Sequence, residues 1–210
     1  MHLVVGLGNP GDRYAVTRHN VGFRVVERLR ARREAALPGT TQLGSRVHSG
    51  TVNGARVLLA CPQQFMNRSG KPVAALMAYY QRLPDKVIVI HDEMGLPFGD
   101  VRCRVGGGHG GHNGLRDIIQ HIGRDFLRVR FGIGRPESGA DVSAYVLGAW
   151  TPSEQTVLGE AIERASDAVE LILTQGMTTA QNRFNVRPRP TKPSSSQSQS
   201  RPDSGAMEPS

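Results

Sequence analysis

Val87-Ile88-Val89-Ile90-His91-Asp92-Glu93 is the stretch that decides the architecture. Its first four residues are apolar and β-branched without a break, which marks a strand buried on both faces rather than one alternating between core and water. A strand covered on both faces needs helices on each side, so this run points to an α/β arrangement. The same run delivers an imidazole and two carboxylates at one strand tip, where the loops of such sheets place their chemistry.

The flanking segments fit that reading. Leu3 to Leu7 is a short buried strand, followed by the turn cluster Gly8-Asn9-Pro10-Gly11. Val21, Val25, Val26 and Leu29 recur at helical spacing, with Asn20 in the N-cap position and His19 just before it. Val47 to Val52 and Arg56 to Cys61 flank Asn53-Gly54, a two-residue hairpin signal that makes this pair antiparallel. Val73, Leu76, Met77 and Tyr80 predict a second amphipathic helix. Leu127, Val129, Phe131 and Ile133 alternate with Arg128 and Arg130, and Val101 to Val105 carries Arg102 and Arg104 on one side, so the four arginines are expected in one patch. Thr151-Pro152-Ser153-Glu154 has the form of a capping box opening a long helix to Gly176, with a last short helix ending near Asn185. Helices interleave with strands while one hairpin is antiparallel. The expectation is an α/β single-domain sandwich with a central mixed, mostly parallel sheet flanked by helices.

With 210 residues, 38% of them hydrophobic, the chain can bury one sizeable core. From residue 188 onward the composition turns to Pro, Ser and Gln, so 1–187 is expected to be the folded domain and 188–210 a disordered tail. The formal charge of +8 favours a polyanionic partner, with nucleic acid first. Cys61 and Cys103 each sit in an apolar or strand-like run, which excludes a disulfide framework and a four-cysteine zinc site. No stretch approaches the roughly 20 apolar residues of a membrane span, and the reading is a soluble, cytoplasmic protein.

Gly106 to Gly114 reads Gly-Gly-Gly-His-Gly-Gly-His-Asn-Gly, six glycines that let another molecule lie against bare main chain. Leu115, Ile118, Ile119 and Ile122 follow at helical spacing, so the loop feeds a helix N-terminus expected to favour an anion. Loops after strands also supply Asn9, Asn67, Asp92 and Asn113, which an α/β sheet can bring to one rim together with His19. Carboxamides both donate and accept hydrogen bonds, so several around one imidazole suit a grip on carbonyls and hydroxyls. An aspartate on one nitrogen of His19 would fix its tautomer and stabilise the imidazolium, making His19 and Asp92 a base dyad.

Taken together, Val5-Gly6-Leu7-Gly8-Asn9-Pro10-Gly11, Tyr14, Thr17 to Gly22, Pro62 with Phe65-Met66-Asn67 and Ser69-Gly70, His91-Asp92-Glu93, Gly106 to Gly114 and Arg130 to Pro136 closely resemble the bacterial peptidyl-tRNA hydrolase family. That resemblance implies a monomeric α/β enzyme cleaving the ester between a peptide and the terminal ribose of tRNA, with no cofactor and no metal. By position it implies His19 as the base that activates water and Asp92 as the carboxylate that orients it. Asn9, Asn67 and Asn113 become substrate-positioning amides, Tyr14 and Met66 neighbours of the terminal nucleotide, and His112 a support at the site edge. Arg102, Arg104 and Arg130 would meet phosphates of the acceptor stem. One departure is Gly95, where the family commonly has a second acid three places after the aspartate.

Two other readings compete. A metallohydrolase would draw on His91, Asp92, His109 and His112, but adjacent strand residues point to opposite faces and a glycine loop holds ligands poorly. A non-catalytic RNA-binding protein on the same scaffold would have no need of the His19 and Asp92 pair.

Overall fold

Alternation along the central strands sets the layers. Leu3 and Val5 belong to one hydrophobic cluster and Val4 to the other, and the same split separates Leu58 and Ala60 from Val57 and Leu59, and Val87 and Val89 from Ile88 and Ile90. The computed structural model describes residues 1–32 and 39–186. Its strands are β1 (His2–Gly6), β2 (Thr40–Gln42), β3 (Ser45–Val52), β4 (Ala55–Pro62), β5 (Val87–Glu93), β6 (Val101–Val105) and β7 (Leu127–Gly132). They form one sheet in the order β2-β3-β4-β1-β5-β7-β6. The inner strands β4, β1, β5 and β7 are mutually parallel, while β2–β3, β3–β4 and β6–β7 pair antiparallel, so the parallel core is flanked by antiparallel edges.

Helices cover both faces. α1 (Val21–Ala31) and the long α5 (Pro152–Phe184) bury Val21, Val25, Leu29, Ala165, Val169 and Ile172 in the first cluster. α2 (Gly70–Tyr79) and α3 (Asn113–Ile122) bury Val73, Leu76, Leu115 and Ile118 in the second. A one-turn helix, α4 (Val142–Val146), stands between β7 and α5. The expected box at the start of α5 is formed: Thr151 Oγ1 accepts from the N–H of Glu154 at 3.2 Å, and Glu154 Oε2 accepts from that of Thr151 at 2.7 Å. Gly176, at φ 84°, breaks α5 where a separate last helix is expected. No helix among the described residues is long and apolar enough to cross a membrane. The expected tail, 188–210, lies outside the described residues.

Asn20 departs from its expected part. It occupies the N-cap position of α1, yet its side chain caps nothing there, because its carboxamide is spent on the backbone of Asn9.

The approach of α1 to the sheet fixes the ground on which the site stands. A Cβ added at Gly22 would fall on backbone atoms of Leu7 and Ile90, and one at Gly6 on the carbonyl of Gly22. Helix and strand therefore touch main chain to main chain, which carries the residues just before α1 over the tip of β5. Gly22→Ala should cost about 3 kcal/mol of unfolding free energy in a urea titration, because the clash is with backbone that has nowhere to go; a cost under about 1 kcal/mol would contradict this packing.

Candidate active site

A cleft of about 440 Å³ opens where the parallel strands end. Asn9 reaches it from the loop after β1, His19 from the turn before α1, Phe65, Met66 and Asn67 from the loop after β4, Asp92 from the end of β5, and His112 and Asn113 from the start of α3. The parallel strands β1, β4 and β5 bring their loops together because they end on the same rim. β6 runs the other way and ends at the opposite rim, so the glycine loop must carry His112 and Asn113 back to the cleft.

Asp92 is the hub. Its carboxylate is buried, and Oδ1 and Oδ2 lie 2.9 and 3.0 Å from Nδ1 of His19, while Oδ1 also lies 3.0 Å from Nε2 of His112. The protons can be placed. Nδ1 of His112 accepts from the N–H groups of Gly114 and Leu115, so its proton sits on Nε2 and is donated to Asp92. Those two groups belong to the opening turn of α3, so its N-terminus is capped by its own histidine rather than left open to the anion expected there. Burial works against the charge of Asp92, but His112 and His19 outweigh it and hold the carboxyl well below the usual carboxylate range. With Nδ1 of His19 committed to the carboxylate, Nε2 is the nitrogen left to face the cleft.

His91 lies on the same rim with a different task. Its Nδ1 donates to the carbonyl of Asp92 at 2.7 Å, and its ring stands edge to face with that of His112, 5.2 Å between centroids. Nε2 is buried with no partner among the described residues. Burial, then the neighbouring His112, pushes His91 down to about 3 from an ordinary 6.5.

A carboxamide clamp shapes the opposite wall. Asn20 Oδ1 accepts from the N–H of Asn9 at 2.8 Å and Asn20 Nδ2 donates to the carbonyl of Asn9 at 2.9 Å. Asn9 in turn uses Oδ1 to accept from the N–H of Met66 at 2.8 Å. That bond settles the Asn9 amide: its oxygen is occupied and its NH₂ is free to donate into the cleft. Neither Asn20 nor Phe65 is a site residue in the sequence reading. Both lie inside matching motifs, Asn20 in Thr17 to Gly22, where it reads as a cap before a helix, and Phe65 in Phe65-Met66-Asn67, where its half-exposed ring at the cleft wall marks it out.

The remaining expected residues divide. Asn67 and Asn113 line the cleft; the Asn67 amide has no hydrogen-bond partner among the described residues, and Asn113 Oδ1 accepts from Arg116 at 3.1 Å. Tyr14 is not part of the lining: it packs edge-on against Phe65, with the Arg13 guanidinium over its ring. Arg102 and Arg104 of β6 stand directly opposite Arg130 and Arg128 of β7, so all four share one sheet face. They do not form one uniform patch. Arg128 is buried and donates to the carbonyls of Gly108 and Gly107 at 2.7 and 2.5 Å, bracing the glycine loop; burial and the neighbouring Arg104 and Arg130 pull it down to about 10. Arg130 pairs with Glu93 at 3.0 Å and Arg102 with Asp100 at 3.3 Å, while Arg104 is exposed beside Gly107. At Gly95 the backbone N–H donates to Glu93 Oε1 at 2.9 Å, and an added Cβ would press on that same oxygen. Glycine there leaves Glu93 free to fold back onto its own turn.

His19, Asp92 and His112 offer donor atoms within 4.8 Å of one another. This set differs from the expected His91, Asp92, His109 and His112. As placed, the carboxylate is already hydrogen-bonded to both imidazoles, and His112 gives its other nitrogen to α3, so these donors satisfy one another and would have to part to hold an ion.

An imidazole steered by a buried carboxylate and facing an open cleft on an α/β sandwich is equipped to draw a proton from water or a hydroxyl, the chemistry a hydrolase needs. Comparison with known proteins agrees. The peptidyl-tRNA hydrolase family model matches residues 3–194. The peptidyl-tRNA hydrolase of Mycobacterium tuberculosis is 47% identical over 185 residues, 88% of this chain and 97% of that protein. That of Syntrophotalea carbinolica is 46% identical over 188 residues, 89% and 98% of the two chains. The crystal structure of peptidyl-tRNA hydrolase from Acinetobacter baumannii superposes with a TM-score of 0.82 at 42% identity, covering 88% of this chain and 94% of that one. The chain belongs to the peptidyl-tRNA hydrolase family.

Two consequences of this geometry can be measured. Asn20→Ala removes both bonds to Asn9 and leaves a buried backbone N–H and carbonyl unpaired, which should cost about 2 kcal/mol of unfolding free energy; an unchanged urea midpoint would show that the clamp carries nothing. His91 ties stability to pH: the unfolded chain binds a proton near pH 6.5 and the folded one only near 3, so stability is full above the first value and falls as pH drops toward the second. Between pH 6.5 and 4.5, His91→Asn should flatten that fall by about 1 kcal/mol per pH unit in chemical unfolding, and an unaltered slope would disprove it.

Proposed function

We propose that this protein hydrolyses the ester between a peptide and the terminal ribose of tRNA, releasing both. The observation that carries the reading is the grip of both Asp92 oxygens on Nδ1 of His19, at 2.9 and 3.0 Å, which leaves Nε2 toward the cleft. Nε2 takes a proton from water, the hydroxide attacks the ester carbonyl, and the imidazolium is stabilised across Nδ1–H by Asp92. Negative charge then collects on the former carbonyl oxygen. The free NH₂ of Asn9 and the amides of Asn67 and Asn113 supply donors for it and for the peptide backbone. Collapse of the tetrahedral species expels the ribose oxygen, which recovers the proton from His19. Water, histidine and ester close this cycle, so no metal or cofactor enters it.

In this reading residues 1–187 are the catalytic domain of a cytoplasmic monomer. The terminal nucleotide lies toward Met66 and the Tyr14–Phe65 pair, and phosphates of the acceptor stem lie against Arg102, Arg104 and Arg130 across the β6–β7 edge. Such contacts are made by charge and shape more than by base reading.

His19→Ala should lower single-turnover release of peptide from peptidyl-tRNA by about a thousandfold, within the range for loss of a general base, while tRNA affinity by filter binding stays within about twofold. Turnover equal to that of the wild type would remove His19 from the chemistry.

A further inference from the structure

The sheet order places the β6–β7 arginines on one side of the β1–β5 tips and the β2–β3 turn on the other. On that second side, across the start of α2, runs a groove of about 610 Å³ bounded by Leu43, Gln64, Arg68, Lys71, Asp117 and His121. It shares both walls with the cleft. Asn67 lines the cleft and Arg68 the groove, while Asn113 lines the cleft and Asp117, one turn further along α3, lines the groove.

The charges in the groove are not balanced. Arg68 and Lys71 have no hydrogen-bonding or ion-pair partner for their side chains among the described residues. The one carboxylate, Asp117, is held to the groove wall: Oδ2 accepts from the backbone N–H of Gly70 at 2.6 Å and Oδ1 lies 3.7 Å from Nδ1 of His121, which donates to the Asp117 carbonyl at 2.8 Å, so the two cations still outnumber it. Leu43, Pro72 and Ala75 give the same groove an apolar side. Two idle cations over apolar ground suit an extended chain bearing carboxylates.

We infer that this groove is a second subsite for the peptide of the substrate, taking acidic side chains a few residues from the ester; the inference rests on the hydrolysis proposed above. With RNA on the β6–β7 side and the ester between, the peptide leaves toward Arg68 and Lys71. From Asn113 to His121 α3 advances about 12 Å, the reach of roughly four residues of extended chain. The groove is therefore met by residues about three to five from the ester, and a dipeptide stops short of it.

Three substrates on one tRNA test this by kcat/KM: an N-acetylated dipeptide, and two hexapeptides with Asp or Lys at the third to fifth residues from the ester. The wild type should prefer the acidic hexapeptide to the basic one by about fivefold or more. Arg68→Gln with Lys71→Gln should bring that ratio close to one while leaving the dipeptide rate unchanged. Equal rates for the two hexapeptides in the wild type would overturn the subsite and leave the hydrolysis standing. A double variant that loses the same factor on all three substrates would put RNA in the groove and overturn it as well. If the wild type cleaves none of them, the hydrolytic reading fails and the subsite falls with it.

Discussion

A buried carboxylate is tolerable only when its oxygens are satisfied, and Asp92 is satisfied by two imidazoles from different parts of the chain. Each imidazole is bound to something else as well. His112 spends its second nitrogen on the first turn of α3, and His19 sits in the turn that opens α1. One anion thus ties the end of β5 to the starts of two helices that lie on opposite faces of the sheet. The arrangement also sets the chemistry, since a histidine held at Nδ1 by a carboxylate has one nitrogen left to work with.

The residues flanking His19 show how firmly that nitrogen is aimed. Arg18, His19 and Asn20 are three consecutive buried polar residues, and each is bound to a different element. Arg18 donates to the carbonyl of Ala149 at 2.8 Å and to Glu154 at 2.7 Å, with its guanidinium over the ring of Tyr145. Asn20 holds Asn9 on the far side. Glu154 is also the closing member of the box at the start of α5, so that helix and the turn bearing His19 share one carboxylate. The imidazole between Arg18 and Asn20 has little freedom to turn. Preorganisation of this kind would spare a reaction that uses His19 as its base the cost of ordering it.

The glycine loop has a comparable support. Gly106, Gly107, Gly110 and Gly111 all have positive φ, and Arg128 reaches under the loop to hold the carbonyls of Gly107 and Gly108. A cation expected in a shared basic patch is instead a strut, which leaves Arg104 as the exposed member of the four. Basic residues on one strand face thus take unlike parts: bracing at Arg128, pairing with carboxylates at Arg102 and Arg130, and an open charge at Arg104.

Periodicity alone determined the layers, because the unbroken apolar run of Val87 to Ile90 has no stable place except between two helical covers, and Asn53-Gly54 could hardly be anything but a hairpin. The polar residues after β1, β4 and β5 were also legible as one rim, since parallel strands must end together, whereas Asn113 reaches that rim because the glycine loop runs back from the far end of the antiparallel β6. What only the tertiary structure decided was the part each polar side chain plays. Asn20 reads as a helix cap and serves as a clamp, Arg128 reads as a surface charge and lies buried, and the helix start after the glycine loop reads as an anion site and is closed by His112. The reason is physical: apolar patterns are set by neighbours a few residues away along the chain, whereas a hydrogen-bonding group takes whichever partner the folded chain brings within about 3 Å, and that partner can be over a hundred residues distant.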